Sequence, residues 1–131
     1  MRYIENTIRT TPVAEKWITD TDTGLDWAVY NQRELSWEEA KEYAECLGDG
    51  WRLPTIQELI AIIDYETSIP ATKMQEIAPD YYWSATTCAP NTSYAWVVDF
   101  SYGSVSIDDR TNSRQVVCVR DPNNPITNND K

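Results

Sequence analysis

SWEEAKEYAECLG (36–48) and TIQELIAII (55–63), joined by DGWRLP (49–54), decide the fold. Each segment opens on a hydroxyl residue followed three positions later by glutamate, Ser36 with Glu39 and Thr55 with Glu58. This is the capping-box pattern, in which side chain and backbone satisfy each other's open donors at a helix start. Behind the first cap, Trp37, Ala40, Ala44 and Leu47 recur at helical spacing, and Gly48 supplies a left-handed stop. Behind the second, Ile56, Leu59, Ile60 and Ile63 form the expected buried stripe. Pro54 blocks backward propagation of the second helix, so the two stay distinct.

Upstream, residues 1–12 read as a lead-in strand or arm, and Val13–Tyr30 as strand, turn, strand. Trp17 and Ile18 precede the turn chemistry of DTDTG (20–24), after which Leu25, Trp27 and Val29 alternate at period two. Downstream, the chain is irregular through Pro70 and Pro79. Tyr81–Thr86, Tyr94–Phe100, Gly103–Ile107 and Gln115–Arg120 then read as strands, with Gly103 providing a positive φ for a tight hairpin. Helices segregated from a run of antiparallel strands argue an α+β class rather than a parallel α/β sheet.

The 131 residues fit one domain over 1–120 and a polar tail over 121–131, DPNNPITNNDK, expected to be disordered. Hydrophobic residues at 41% exclude a wholly disordered chain. Eleven Lys and Arg against 21 Asp and Glu leave a net charge of −10, which repels phosphate backbones, anionic membranes and sulfated glycans. Nucleic acid is therefore not an expected partner. No histidine is present, which removes imidazole acid–base catalysis, His-assisted nucleophiles and imidazole metal sites. Six Trp and eight Tyr against one Phe supply rings with a polar handle, suited both to a core and to a sugar-binding face.

Cys46, Cys88 and Cys118 are too few for a disulfide-built miniature fold and lack metal-site spacing. One disulfide plus one free thiol is the simplest arithmetic. No apolar run approaches the roughly 18 residues of a membrane span, so membrane insertion is not expected. MRYIENTIRT (1–10) contains no signal-peptide core, which fits either a cytoplasmic protein or one whose leader has been removed.

TGLDWAV (23–29), WRLPTIQEL (51–59), YWSAT (82–86), AWVVDFSYGSV (95–105) and VVCVR (116–120) together resemble the Lcl-type C-terminal domain family of bacterial surface proteins. The resemblance runs from about Val13 to Arg120. It implies a C-type-lectin-like fold with two helices, a mixed, mainly antiparallel sheet and neighbouring termini. It also implies a disulfide from Cys46 to Cys118, worth about 4 kcal/mol in the chain-entropy model, and hence an oxidising compartment: extracellular, cell-surface or periplasmic. Cys88 is left unpaired.

Within WRLPT (51–55), Trp51 and Leu53 are expected to anchor the link between helices, and Arg52 to pair with a buried carboxylate or carbonyl. Trp83 and Trp96, like Tyr81 and Tyr94, fall on adjacent strands and are expected to pack there, with a sugar-stacking platform as the sharper alternative. Calcium-dependent lectins of this fold use a Glu-Pro-Asn loop and a Trp-Asn-Asp strand. The nearest strings here, Ala89-Pro90-Asn91 and Trp96-Val97-Val98-Asp99, lack the needed oxygens, so that site does not carry over. Asn91, Asp108 and Asp109 remain as weak calcium candidates, and no other cofactor or metal is expected. RLPT (52–55) and CVR (118–120) are also similar to the formylglycine-generating enzymes, but no second cysteine stands beside Cys118 and their iron-dependent relatives need histidine.

The expectation is a non-enzymatic surface or secreted bacterial binding module. It would hold a glycan or protein ligand in loops Thr86–Tyr94 and Tyr102–Arg114, with Asn91, Tyr94, Tyr102, Asp108, Asp109 and Arg110 as candidate contacts. Loops rich in Asn, Ser, Tyr and Asp give adaptable hydrogen bonds and stiff aromatic contacts. The alternatives are a structural subunit of a surface appendage or phage receptor-binding tip, with a homo-oligomer compatible with either reading, and a formylglycine-type enzyme.

Overall fold

The Ser36 hydroxyl accepts from the Glu39 N–H (3.3 Å) while the Glu39 carboxylate accepts from the Ser36 N–H (3.0 Å). Thr55 and Glu58 repeat the arrangement. Both capping boxes thus form, starting α1 (Trp37–Leu47) and α2 (Ile56–Ala61). These features belong to a computed structural model that describes residues 2–7, 16–29, 32–74 and 76–122, with backbone only at 6 and 7. The tail stretch 123–131 and the segment 8–15 lie outside the described residues.

Among the described residues, nine strands form two sheets. β1 (Tyr3–Thr7), β2 (Lys16–Asp20), β3 (Leu25–Ala28) and β9 (Cys118–Arg120) make one, in that order and antiparallel throughout. β4 (Glu34–Leu35), β8 (Arg114–Gln115), β5 (Tyr81–Thr87), β6 (Tyr94–Asp99) and β7 (Ser104–Asp109) make the other, antiparallel except where β5 meets β8. The fold is α+β. The β2–β3 turn is held by Asp20, whose carboxylate accepts from the Asp22 N–H (3.0 Å) and the Thr23 hydroxyl (3.0 Å). Asp20 is fully buried, and Arg2 grips both its oxygens at 2.6 and 2.9 Å. Burial alone would raise this carboxyl, but those hydrogen bonds outweigh it and hold it below the usual carboxylate range.

Successive residues of a strand point to opposite faces, and both faces of the inner strands are covered. Ile18, Tyr82, Val98, Val117 and Val119 enter one core with Ile56 and Leu59 of α2, whereas their neighbours Trp17, Trp83, Val97, Val116 and Cys118 enter a second core with Trp37, Ala40, Ala44 and Leu47 of α1. The strands therefore form a layer between the two helices. Gly103, after β6, has φ +87°, and a Cβ there would lie 2.7 Å from the Tyr65 ring. The hairpin thus requires glycine for both backbone and space.

The structure departs from the sequence reading in four places. Gln115–Arg120, expected as one strand, splits into β8 and β9, and Val116-Val117 carries the chain from one sheet to the other. α2 ends at Ala61; Ile60 within it is exposed, and beyond it Ile62 is buried while Ile63 packs only partly against the core. Trp83 and Trp96 are not cross-strand partners, since Trp83 faces Val97 and Trp96 faces Ile107. Trp83 is fully buried and donates Nε1–H to the Leu35 carbonyl (2.8 Å), which leaves it no face for a sugar.

The fourth departure concerns the cysteines. The Cys46–Cys118 disulfide is not formed, and all three thiols are free. Cys46 stands nine residues after Trp37, half a turn round α1 from the buried side, and is exposed, while Cys118 sits in the core. Burial pushes the Cys118 thiol up to about 12.

Candidate functional site

Arg110 follows β7 and lies across the start of α1. Its guanidinium carbon is 4.3 Å from the centre of the Trp37 ring. Nη2 donates to the Glu38 carboxylate, and Nη1 donates to the Thr92 carbonyl (2.6 Å). The backbone repeats the connection: the Arg110 N–H donates to the Ser93 carbonyl (3.0 Å), and the Arg110 carbonyl accepts from the Trp37 N–H (3.1 Å). Three segments distant in sequence are thereby tied at one point. Trp37 is in turn fixed, with Nε1–H donating to the Ser84 carbonyl (2.9 Å) and the Lys41 ammonium 4.7 Å from its ring.

At this junction an open groove of about 660 Å³ is lined by Ser36, Glu38, Ser93, Asp109, Arg110 and Thr111. Asp109 Oδ1 accepts from the Thr111 N–H (2.9 Å) and hydroxyl (2.8 Å), and the backbone bond chiefly holds this carboxyl below its ordinary value. An ionised carboxylate therefore faces the groove at neutral pH. A smaller hollow of about 240 Å³ lies beside Arg2 and Lys73. Its cations are already engaged, Arg2 with Asp20 and Lys73 with Asp64 at 3.5 Å.

Of the six residues expected from the sequence, Asp109 and Arg110 line this groove. Tyr94 pairs with Asp109 at the head of β6. Asn91 shapes the adjoining loop, its Oδ1 accepting from the Ser93 N–H (3.1 Å). Asp108 is turned elsewhere, receiving Arg114 Nε–H and the Asn112 amide (2.8 Å). Tyr102 lies in the β6–β7 hairpin at the other end of β7, a strand of six residues that spans about 20 Å. The calcium candidates do not converge. Asp108 and Asp109, neighbours on one strand, project to opposite faces, and among the described residues no group of three or more Cys, Asp or Glu could hold a metal ion.

The sequence alone missed Ser36, Glu38, Ser93 and Thr111. Ser36 and Glu38 were legible as helix-start residues, but nothing local signals that the 109–111 turn closes on them.

The five strings that carry the family resemblance have definite positions in the fold. TGLDWAV builds β3, WRLPTIQEL the link into α2, YWSAT β5, AWVVDFSYGSV the β6–β7 hairpin, and VVCVR the passage into β9. A family model, the Lcl C-terminal domain, matches residues 16–120. The chain belongs to the Lcl C-terminal domain family. No curated protein matches it. The matched span of this Lcl C-terminal domain runs from the first residue of β2 to the last of β9 and includes the whole groove, but not β1. Within it, WRLPT links the two helices, although the carboxylate that Arg52 meets, Glu58, is 21% exposed rather than buried as expected. Trp51 and Leu53 are buried, and Arg52 donates to both Glu58 oxygens at 2.8 Å. Its backbone bridges to Val119 in both directions (2.8 Å). Burial would raise Glu58, but Arg52 and the Thr55 N–H outweigh it and hold that carboxyl low.

Proposed function

We propose that this domain is a non-enzymatic binding module that holds a glycan or protein ligand in the groove bounded by Ser36, Glu38, Ser93, Asp109, Arg110 and Thr111. The observation that carries the reading is the Arg110 junction, which fixes hydroxyls and carboxylates from three separate segments around one open groove. Fixed polar groups on packed elements give orientation without a large ordering cost on binding. Arg110 directs two of its guanidinium N–H groups to Glu38 and Thr92, and the other lining side chains, Ser36, Glu38, Ser93, Asp109 and Thr111, offer a ligand acceptors and hydroxyls. The matching ligand is neutral or cationic and rich in donors, such as a neutral or amino sugar or a basic peptide side chain. The net charge of −10 disfavours sulfated and phosphorylated ligands in the same direction.

A C-type-lectin-like assignment and a surface or secreted location are part of this reading. They rest on the family resemblance, because no disulfide is present to argue for an oxidising compartment. The lack of histidine supports the non-enzymatic reading by removing the commonest acid–base group.

The test is an array of neutral, amino-sugar and sulfated glycans together with basic peptides, probed with the wild type, Asp109→Ala and Ser93→Ala. Binding to neutral or amino-containing probes that falls about 10-fold or more in Asp109→Ala is expected, the usual effect of deleting a charged hydrogen-bond partner. Binding confined to sulfated probes, or unaltered by both substitutions, would sink the assignment.

A further inference from the structure

β7 is the outermost strand of its sheet, and its first four residues are exposed. Its backbone orientation follows from β6. The Tyr94 carbonyl accepts from the Cys88 N–H (2.8 Å) and the Trp96 carbonyl from the Ser84 hydroxyl (2.7 Å), so these two residues face β5. Orientation alternates along a strand, so Ser93, Ala95, Val97 and Asp99 face β7, as the Arg110–Ser93 bond requires. Their partners Ser104, Ser106 and Asp108 therefore turn inward, and Val105, Ile107 and Asp109 turn their backbone groups outward.

This outer edge is closed at both ends. The Asp109 N–H donates to Asp108 Oδ1 (2.9 Å), and the Gly103 carbonyl accepts from the Tyr65 hydroxyl (2.8 Å). Between them no described residue bonds the outward backbone of Val105 or Ile107, whose side chains are 38% and 42% exposed. The sequence SVSIDD contains none of the proline or lysine that blunts natural sheet edges, and its pairing with β6 runs without a bulge.

We infer that this edge pairs with the same edge of a second copy, antiparallel about a two-fold axis at Ser106. The register is selected by the closed ends. Placing Val105 opposite Ile107 of the second copy uses both open residues of both chains and makes four backbone hydrogen bonds. Centring on Val105 would spend a bond on the Gly103 carbonyl already held by Tyr65. Centring on Ile107 would need the Asp109 N–H already held by Asp108. In the selected register aliphatic side chains meet aliphatic ones, and Ser106 meets Ser106. Asp108 meets the Ser104 hydroxyl, so no two carboxylates face each other. Tyr102, 64% exposed and remote from the groove, comes level with the second copy's 109–110 turn.

Such a contact is small, and small interfaces give weak, concentration-dependent dimers. Sedimentation equilibrium of the full chain from about 10 µM to about 1 mM is expected to show dimer growing with concentration, the range in which interactions of this size sit. Ile107→Pro deletes an outward N–H and no bond to β6, so it should stay monomeric with an unchanged far-ultraviolet spectrum. In a Cys46→Ser background, Ser106→Cys should cross-link under mild oxidation at least about ten times faster than Ser104→Cys, because only facing non-hydrogen-bonded pairs bring Cβ atoms near disulfide distance. A wild type monomeric throughout, a dimer that survives Ile107→Pro, or equal cross-linking at 104 and 106 would each overturn the inference.

Discussion

Arg120 and Arg110 use the same chemistry to opposite ends. Arg120 lies between two rings, 4.6 Å from the centres of both Trp17 and Trp51, and donates to Asp26 at 3.0 Å. The rings meet edge to face at 6.4 Å, and Asp26 also accepts from the Thr19 hydroxyl (2.8 Å). Arg120 is 17% exposed, and its outer side borders a separate open hollow of about 380 Å³ shared with Asp49, Gly50, Asp121 and Pro122. Arg110 lies on one tryptophan and pairs with the exposed Glu38, and its remaining side borders the groove. The first arrangement locks β9 against the link into α2. The second gathers loops and leaves room for a ligand. A cation stacked on tryptophan is thus no mark of a binding site by itself; the hydroxyls and carboxylates that separate segments bring to its open side are.

The largest expected effect separates these two arginines. Arg120→Met leaves Asp26, 5% exposed, without its cation and should lower unfolding stability by about 3 kcal/mol, the cost of breaking a buried pair from one side. Arg110→Met should cost about 1 kcal/mol, since its partner Glu38 is well exposed. Urea unfolding of both variants decides it, and equal midpoints would break the contrast.

Acid should weaken the closed regions next. Asp20 and Glu58 are both held below their ordinary carboxylate values by arginine partners and backbone N–H groups. A carboxyl lowered on folding stabilises above its unfolded value and loses that contribution as pH falls through the folded one. The urea midpoint should therefore hold steady between about pH 5 and 8 and decline below about pH 4. Asp20→Asn should lower it at pH 7 and flatten the acid decline. An acid slope identical to wild type would remove Asp20 from the account.

Removing either cap is a smaller step. Thr55→Ala and Ser36→Ala should each cost about 1 kcal/mol, and their far-ultraviolet spectra should stay near wild type at room temperature. Ser36→Ala adds a sharper readout, because Ser36 borders the groove and its loss should also weaken ligand binding, whereas Thr55→Ala should not. Thiol labelling carries no stability change at all. Cys46 should react quickly with a disulfide reagent at pH 8, and Cys88 and Cys118 only on unfolding. Fewer than three thiols in the unfolded, unreduced protein would restore a disulfide.

Much of the frame was legible because it is local. The capping boxes at Ser36 and Thr55, the Asp20–Gly24 turn and the glycine at 103 each depend on residues within a few positions, and each forms as read. Features set by distant partners were hidden. Val116-Val117 looks like strand whichever sheet it serves, and β4 has two residues, too few to show a period. Cys46 stands one residue before buried Leu47, yet helical phase turns it to solvent, which no count of cysteines reveals. In the candidate site, loop composition pointed to Asp109 and Arg110 but could not supply the α1 wall made by Ser36 and Glu38. It also grouped Tyr102, in the β6–β7 turn, with residues at the far end of β7.

The most direct measurement is the glycan and basic-peptide array with wild type, Asp109→Ala and Arg120→Lys side by side. Signal on neutral or amino-containing probes should be lost in Asp109→Ala and retained in folded Arg120→Lys, because only the first alteration touches the groove. Equal signal for wild type and Asp109→Ala, or signal on sulfated probes alone, would contradict the groove as the binding site.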